Sequence, residues 1–369
     1  MNPELQELIN SITPADPGVI KRANIRQARL TKPPGSLGRL EEISVRLAGI
    51  FGNTRPVVNG RSLVIAAGDH GVVAQGVTAY PQEMTGQMVL NFLAGGAAVT
   101  AMARTLSVDV TVVDAGVIAE LPEHADLVSL RIGPGTEDIF ERPAMTRDQA
   151  ERCLLEGARI GAKVAGDGSR LVATGDMGIG NTTPSSAITA AITGMPPEVT
   201  TGRGAGLNAA ELRHKTEVVS RALEANQPDN DDAIDVLAKV GGFEIGVLAG
   251  VMLGAASRGG AIVIDGFISG AAALIANGLS PALGDHLFAG HRSAEAGHSI
   301  VLDHLGLEPI LDLDMRLGEG TGAVLAMTII ETAAACLAEM STFDEAGVSD
   351  AETEKSSTKC TPSGPRSAS

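Results

Sequence analysis

The sequence holds no tryptophan and one tyrosine among 369 residues, an aromatic share of 2%. Rings cannot fill an interior of that size, so Ala, Val, Leu, Ile and Gly must do so. Small side chains let helices sit close to a sheet, as in wound βαβ layers. Cysteine is scarce too. Cys153, Cys336 and Cys360 are odd in number, widely spaced and without a CxxC pair, which indicates neither a disulfide framework nor a zinc site. Reduced thiols fit a cytoplasmic protein.

Positive charge is in deficit, with 28 Lys and Arg against 44 Asp and Glu and a formal net charge of -16. A nucleic-acid partner requires clustered cations, so none is expected. The N-terminus lacks a basic region followed by an apolar core, and polar residues interrupt the apolar stretches before about 18 residues. Neither a secretory signal nor a membrane span is therefore expected.

What the chain does have is 44% apolar residues, enough for a sizeable core. Short runs rich in β-branched residues end at carboxylates: Ser62 to Ala67 before Asp69, Val108 to Val113 before Asp114, Leu171 to Thr174 before Asp176, and Ala261 to Ile264 before Asp265. They read as buried parallel strands. Helical segments lie between them, such as Met84 to Leu106 and Arg147 to Ala165, the latter opened by Thr146 and Gln149 at capping-box spacing. This alternation predicts a mainly parallel sheet covered on both faces, with its crevice outside the carboxyl ends of the strands. The four aspartates are expected to converge there; each alone also reads as a turn-forming cap.

Residues 1–60 read as a small helical subdomain that is joined by about 320–342. Residues 61–319 read as the α/β domain expected to carry the site, and 343–369, rich in Ser, Thr and Glu, read as a disordered tail.

Three segments carry chemistry. Gly175-Asp-Met-Gly-Ile-Gly-Asn-Thr-Thr-Pro184 leaves a strand and enters a helix, with Thr183 as N-cap, and suits a phosphate. The same pattern also fits a plain turn. Thr201 to Leu207 is a second glycine cluster, followed by His214 and Lys215; the lysine reads either as a phosphate partner or as a solvated side chain. In Leu311 to Gly322 one carboxylate, Glu319, stands between glycines before an apolar helix. Burial would raise its pKa into the range of a general base, whereas a helix-capping role would lower it. His70 and His291 lack partners at metal-ligand spacing and read as hydrogen-bonded structural residues, so no metal site and no cofactor are expected.

The blocks KPPGSLGRLE (32–41), AGDHGV (67–72), GDMGIGNTTPSSA (175–187), KVGGFEIGVLAGVMLGAA (239–256), DGFIS (265–269) and MRLGEGTGA (315–323) together resemble one family, nicotinate-nucleotide:dimethylbenzimidazole phosphoribosyltransferase. The likeness runs from about residue 5 to 340. It implies a three-layer α/β fold with a mainly parallel, Rossmann-like sheet, a small helical domain from both chain ends, and a homodimer. The implied partners are two small molecules, nicotinate mononucleotide and a benzimidazole base, joined as α-ribazole 5′-phosphate in cobalamin assembly. By the same resemblance Glu319 is the catalytic base. Asp176 is the second catalytic carboxylate, standing where the family has Glu and so shorter by one methylene. The phosphate and ribose fall to Gly178, Gly204, Lys215 and Ser293, and the base to Tyr80, Met84, Met88 and Leu317. Rival readings are a transferase with another acceptor, such as adenine or a phenol, and a non-catalytic azole or riboside carrier; nicotinate release separates the carrier from both transferases.

Overall fold

The computed structural model describes residues 1–204 and 206–349. In chain order the helices before the first strand are α1 (Pro3–Asn10), α2 (Pro17–Arg29) and α3 (Arg39–Phe51). Then come β1 (Arg61–Gly68), α4 (Met84–Leu93), α5 (Ala98–Leu106), β2 (Asp109–Gly116), β3 (Leu127–Ser129), α6 (Arg147–Gly166) and β4 (Leu171–Met177). There follow α7 (Thr182–Thr193), α8 (Pro197–Thr200), α9 (Ala209–Asn226), α10 (Ala233–Val240), α11 (Phe243–Ser257), β5 (Ala261–Ile264) and α12 (Phe267–Leu279). The last elements are β6 (Leu287–Ala289), α13 (Ala296–Leu305), α14 (Thr321–Glu339) and α15 (Phe343–Ala346).

The six strands form one sheet in the order β3-β2-β1-β4-β5-β6. Every pairing is parallel. Strand order reverses between β1 and β4, the switch point at which an open α/β sheet leaves a crevice for ligands. Four strands match runs legible in the sequence. β3 and β6 do not, since three residues each give no period to read.

The poverty in aromatics has its counterpart in helix packing. A Cβ at Gly157 or Gly161 of α6 would overlap the carbonyls of Val247 or Val251 on α11, and one at Gly250 or Gly254 would overlap those of Leu154 or Ala158. The two helices therefore touch backbone to backbone, with α11 buried at every position from Phe243 to Ala256. Such an interface has no room for larger side chains.

The chain divides into two compact units, residues 1–15 with 58–331 and residues 16–57 with 332–369, of which the described part ends at 349. The expected boundaries shift accordingly. Residues 1–15 belong to the sheet-bearing unit because Leu5, Ile9 and Ile12 lie in its core. The Asp285 carboxylate also accepts from the Ala15 amide at 3.0 Å. In the second unit Val19, Ala23, Leu30, Val45, Ala48 and Leu337 form a separate small core.

Four local expectations are corrected. Met84 to Leu106 is two helices, broken where Gly95 turns left-handed at φ +71. The N-cap of α7 is Asn181, not Thr183. Irregular structure does not begin at 343, because Thr342 and Glu345 form a capping box for α15; the expected tail from Asp350 onward lies outside the described residues. Two stretches, Met84–Leu106 and α14, are long and apolar enough by composition to cross a bilayer, against the sequence-based expectation. The first is the broken pair of helices, and 56% of the apolar window of α14 is buried within the protein, as a core helix is.

Replacing Gly250 with Leu is expected to destabilise the fold by about 1–3 kcal/mol or more through overpacking, read from the urea midpoint at unchanged m-value. An unshifted midpoint would show that α6 and α11 are not in backbone contact.

Candidate active site

A cavity of about 700 Å³ opens at the carboxyl edge of the sheet, on the switch point side. Its wall includes all ten residues named above: Asp176 and Glu319; Gly178, Gly204, Lys215 and Ser293; Tyr80, Met84, Met88 and Leu317. They come from elements far apart in sequence. β4 delivers Asp176 and, just beyond its end, Gly178; α9 carries Lys215; the segment after β6 carries Ser293; and the loop into α14 carries Leu317 and Glu319. Met84 and Met88 stand one helical turn apart on α4, so both face the same side. Tyr80 and Leu317 are the most open of the set, at 44% and 57% exposure.

The four strand-end aspartates divide instead of converging. Asp69 accepts from the Ile118 amide and Asp114 from the Val117 amide, both at 2.8 Å, so the two pin the chain leaving β2. Asp265 accepts from Gly320 and Ala323 amides at 3.2 and 3.0 Å and thereby holds the start of α14. For these three the capping role is the one realised. Asp176 alone lines the cavity. Its Oδ2 accepts from the Asn181 side chain at 3.0 Å, while its buried Oδ1 has no partner. Burial, followed by the charge of Asp265, raises its pKa to about 8.

Glu319 has φ +65 and stands between Gly318 at +81 and Gly320 at +95, three consecutive left-handed residues. A non-glycine residue there carries strain that the surroundings must hold. A Cβ at Gly175 would overlap the Glu319 carbonyl, so the turn rests directly on the β4 backbone. The side chain is 6% exposed and its Oε2 has no partner. Two opposite signs were open for its pKa, and burial decides the matter upward, with the Asp265 charge adding to the rise against a lowering hydrogen bond from the Val99 backbone. The capping that would have lowered it is done by Asp265.

Lys215 is fully buried, which rules out a solvated side chain. Its ammonium donates to Thr182 Oγ1 at 2.6 Å and to the Gly202 carbonyl at 3.3 Å. Burial pushes its pKa down to about 8, partly opposed by the charge of Glu295. A Cβ at Gly204 would lie 3.3 Å from the Lys215 nitrogen, so the glycine lets the loop backbone close over the cation. Together with the start of α7, this corner presents an ammonium beside helix-start amides, donors of the kind an anion accepts from. Ser293 accepts from the Glu295 amide at 3.3 Å, fixing the turn before α13.

Several wall residues escaped the sequence reading. Asn181 orients Asp176. Glu295 accepts from the Gly204 amide at 3.4 Å, and Arg316 donates to the Gly204 carbonyl at 3.2 Å, so the two tether the second glycine loop from opposite sides. The signal for Asn181 was its place in the glycine run and that for Arg316 its place in the block 315–323; Glu295 had none, being a single charge in an irregular segment. His70 and His291 line no part of the cavity, and each faces a buried carboxylate, Glu244 at 2.8 Å and Asp265 at 3.6 Å. Among the described residues no group of three or more His, Cys, Asp or Glu could hold a metal ion.

Residues 12–348 match a family model described as phosphoribosyltransferase. A nicotinate-nucleotide–dimethylbenzimidazole phosphoribosyltransferase of Chloroflexus aggregans is 55% identical over 346 residues, covering 94% of this chain and 98% of that protein. The protein of the same name from Deinococcus radiodurans is 49% identical, covering 93% and 95%. A crystal structure of the Thermus thermophilus protein of that name superposes with a TM-score of 0.87 at 49% identity, covering 91% of this chain and 99% of the other.

If a charged ammonium holds an anion at this corner, inorganic phosphate is expected to bind more weakly as pH rises through about 8, the lowered pKa of buried Lys215. Replacement of Lys215 with Met is expected to remove that dependence along with most of the affinity. Calorimetry across pH 6.5 to 9.5 checks both, and a pH-independent affinity in the unaltered protein would place the anion elsewhere.

Proposed function

As a member of the nicotinate-nucleotide–dimethylbenzimidazole phosphoribosyltransferase family, the chain is a pentosyltransferase, and we propose a reaction in which this cavity moves phosphoribose from nicotinate mononucleotide to 5,6-dimethylbenzimidazole. The products are α-ribazole 5′-phosphate and nicotinate, the former a precursor of the cobalamin nucleotide loop. The observation that carries this reading is one buried carboxylate with a raised pKa and an unpartnered Oε2, Glu319, in the same cavity as a buried ammonium flanked by glycines.

In the donor the bond from ribose C1′ to the pyridinium nitrogen breaks, and its electron pair returns to that nitrogen. Nicotinate therefore leaves with a neutral ring nitrogen and needs no acid. The acceptor's free ring nitrogen forms the new bond to C1′, and its other nitrogen gives up a proton to Glu319. A carboxylate with a pKa above its ordinary value is a better base for that proton.

Asp176 faces the sugar. With a pKa of about 8 it is largely protonated in the empty site near neutrality; a cationic pyridinium brought beside it lowers that pKa and favours the carboxylate. As charge passes from the ring to C1′, the carboxylate stabilises it. Lys215, Gly178, Gly204 and Ser293 hold the phosphate and ribose, which fixes C1′ for attack. Met84 and Met88 give the flat acceptor a polarizable wall, with Tyr80 and Leu317 at its open edge. A homodimeric, cytoplasmic enzyme is part of the same proposal and rests on the sequence resemblance and the cysteine usage.

Replacing Glu319 with Gln is expected to lower kcat by roughly two to four orders of magnitude while leaving mononucleotide affinity largely intact. Nicotinate release in a coupled assay, beside calorimetry of the mononucleotide, measures both quantities. Near-normal turnover in that variant would remove Glu319 from the base role.

A further inference from the structure

His70 and Glu244 take no part in the chemistry above, yet they form a fully enclosed hydrogen-bonded pair beside the cavity. His70 follows β1 and is 1% exposed; Glu244 lies in the first turn of α11 and is 0% exposed. The imidazole Nε2 stands 2.8 Å from Glu244 Oε1. Burial alone would lower the His70 pKa, but the charge and hydrogen bond of Glu244, with Asp69 nearby, outweigh it and raise the pKa.

A buried polar pair is a poor source of stability compared with apolar side chains of the same volume, so its presence calls for another reason. Its surroundings supply one. A Cβ at Gly178 would lie 3.1 Å from the imidazole nitrogen, one at Gly242 would lie 2.5 Å from His70 Cε1, and one at Gly68 would lie 2.9 Å from Glu244 Oε2. Three glycines thus sheath the pair, and one of them, Gly178, is part of the cavity wall. The loop that starts at Gly178 is fastened at two further points. The Ile179 amide donates to Thr85 Oγ1 at 3.1 Å, and the Asn181 side chain donates to Asp176 at 3.0 Å. The His70 carbonyl accepts from the Gln82 side chain at 3.2 Å, which ties the Tyr80 segment to the same residue.

We propose that the His70–Glu244 pair is a positioning unit for the loop Gly178 to Asn181, the seat that fixes where the donor's phosphate and ribose lie and how Asn181 aims Asp176. The inference rests on the transferase reading and deepens it. The imidazole fills the space under Gly178, and Glu244 keeps the ring from rotating away.

The test is steady-state kinetics of the full chain carrying His70→Asn, which empties that seat, and Glu244→Gln, which keeps an oxygen acceptor for the ring. In His70→Asn the KM for nicotinate mononucleotide is expected to rise roughly tenfold to a hundredfold with the KM for dimethylbenzimidazole unchanged, at a temperature where circular dichroism shows a folded protein. Glu244→Gln is expected to stay within about threefold of wild type for both substrates. A donor KM unchanged in folded His70→Asn, or both Michaelis constants rising together, overturns the proposal. Should His70→Asn fail to fold, Glu244→Asp withdraws the carboxylate by one methylene and is expected to raise the donor KM alone; an unchanged value there is equally fatal. Binding of inorganic phosphate by calorimetry reads the loop without turnover. If wild-type protein releases no nicotinate, the transferase reading falls, while phosphate affinity that is lower in His70→Asn than in wild type still supports the seat and equal affinity overturns it.

Discussion

The site depends on how a strained turn is pinned. Glu319 occupies a left-handed conformation that its side chain disfavours, between two left-handed glycines, with its carbonyl pressed on Gly175 of β4. Asp265, at the end of the neighbouring strand β5, holds the same turn from below through the amides of Gly320 and Ala323. The two strands thus fix one carboxylate in space and bury it, and burial makes it a stronger base. The capping aspartate also repels it, which adds to the effect.

The cavity concentrates three carboxylates, Asp176, Glu295 and Glu319, and two cations, Lys215 and Arg316. A donor that carries phosphate, a pyridinium and a ring carboxylate meets partners of both signs there. Burial has moved Asp176 and Lys215 to the same value, about 8, from opposite directions. Both groups are therefore responsive near neutrality, and each ligand charge that enters shifts one of them toward its ionised form.

Much of the architecture could be read from the residues. The runs before Asp69, Asp114, Asp176 and Asp265 announced four strands, and the six blocks in order announced the family. The short β3 and β6 gave no signal because three residues show no alternation. The break between α4 and α5 was hidden because Gly95 and Gly96 sit within an otherwise apolar run. The state of Lys215 was open in its local sequence, yet α9 carried a clue: Lys215, Val218, Val219, Ala222 and Asn226 share its buried stripe, so the lysine stands where an apolar residue belongs. The sign of the Glu319 shift was not legible at all, since it turns first on burial and then on the Val99 backbone and the charge of Asp265, all set by distant parts of the chain. A separation of 174 positions concealed the pairing of His70 with Glu244.

The central claim is that enclosure makes Glu319 a base of raised pKa. A carbon-13 NMR titration of glutamate carboxyl resonances, assigned by the signal missing in the Gln variant, measures this directly. The account predicts a midpoint clearly above 4.5 for that signal. A midpoint at or below the ordinary carboxylate value would contradict it.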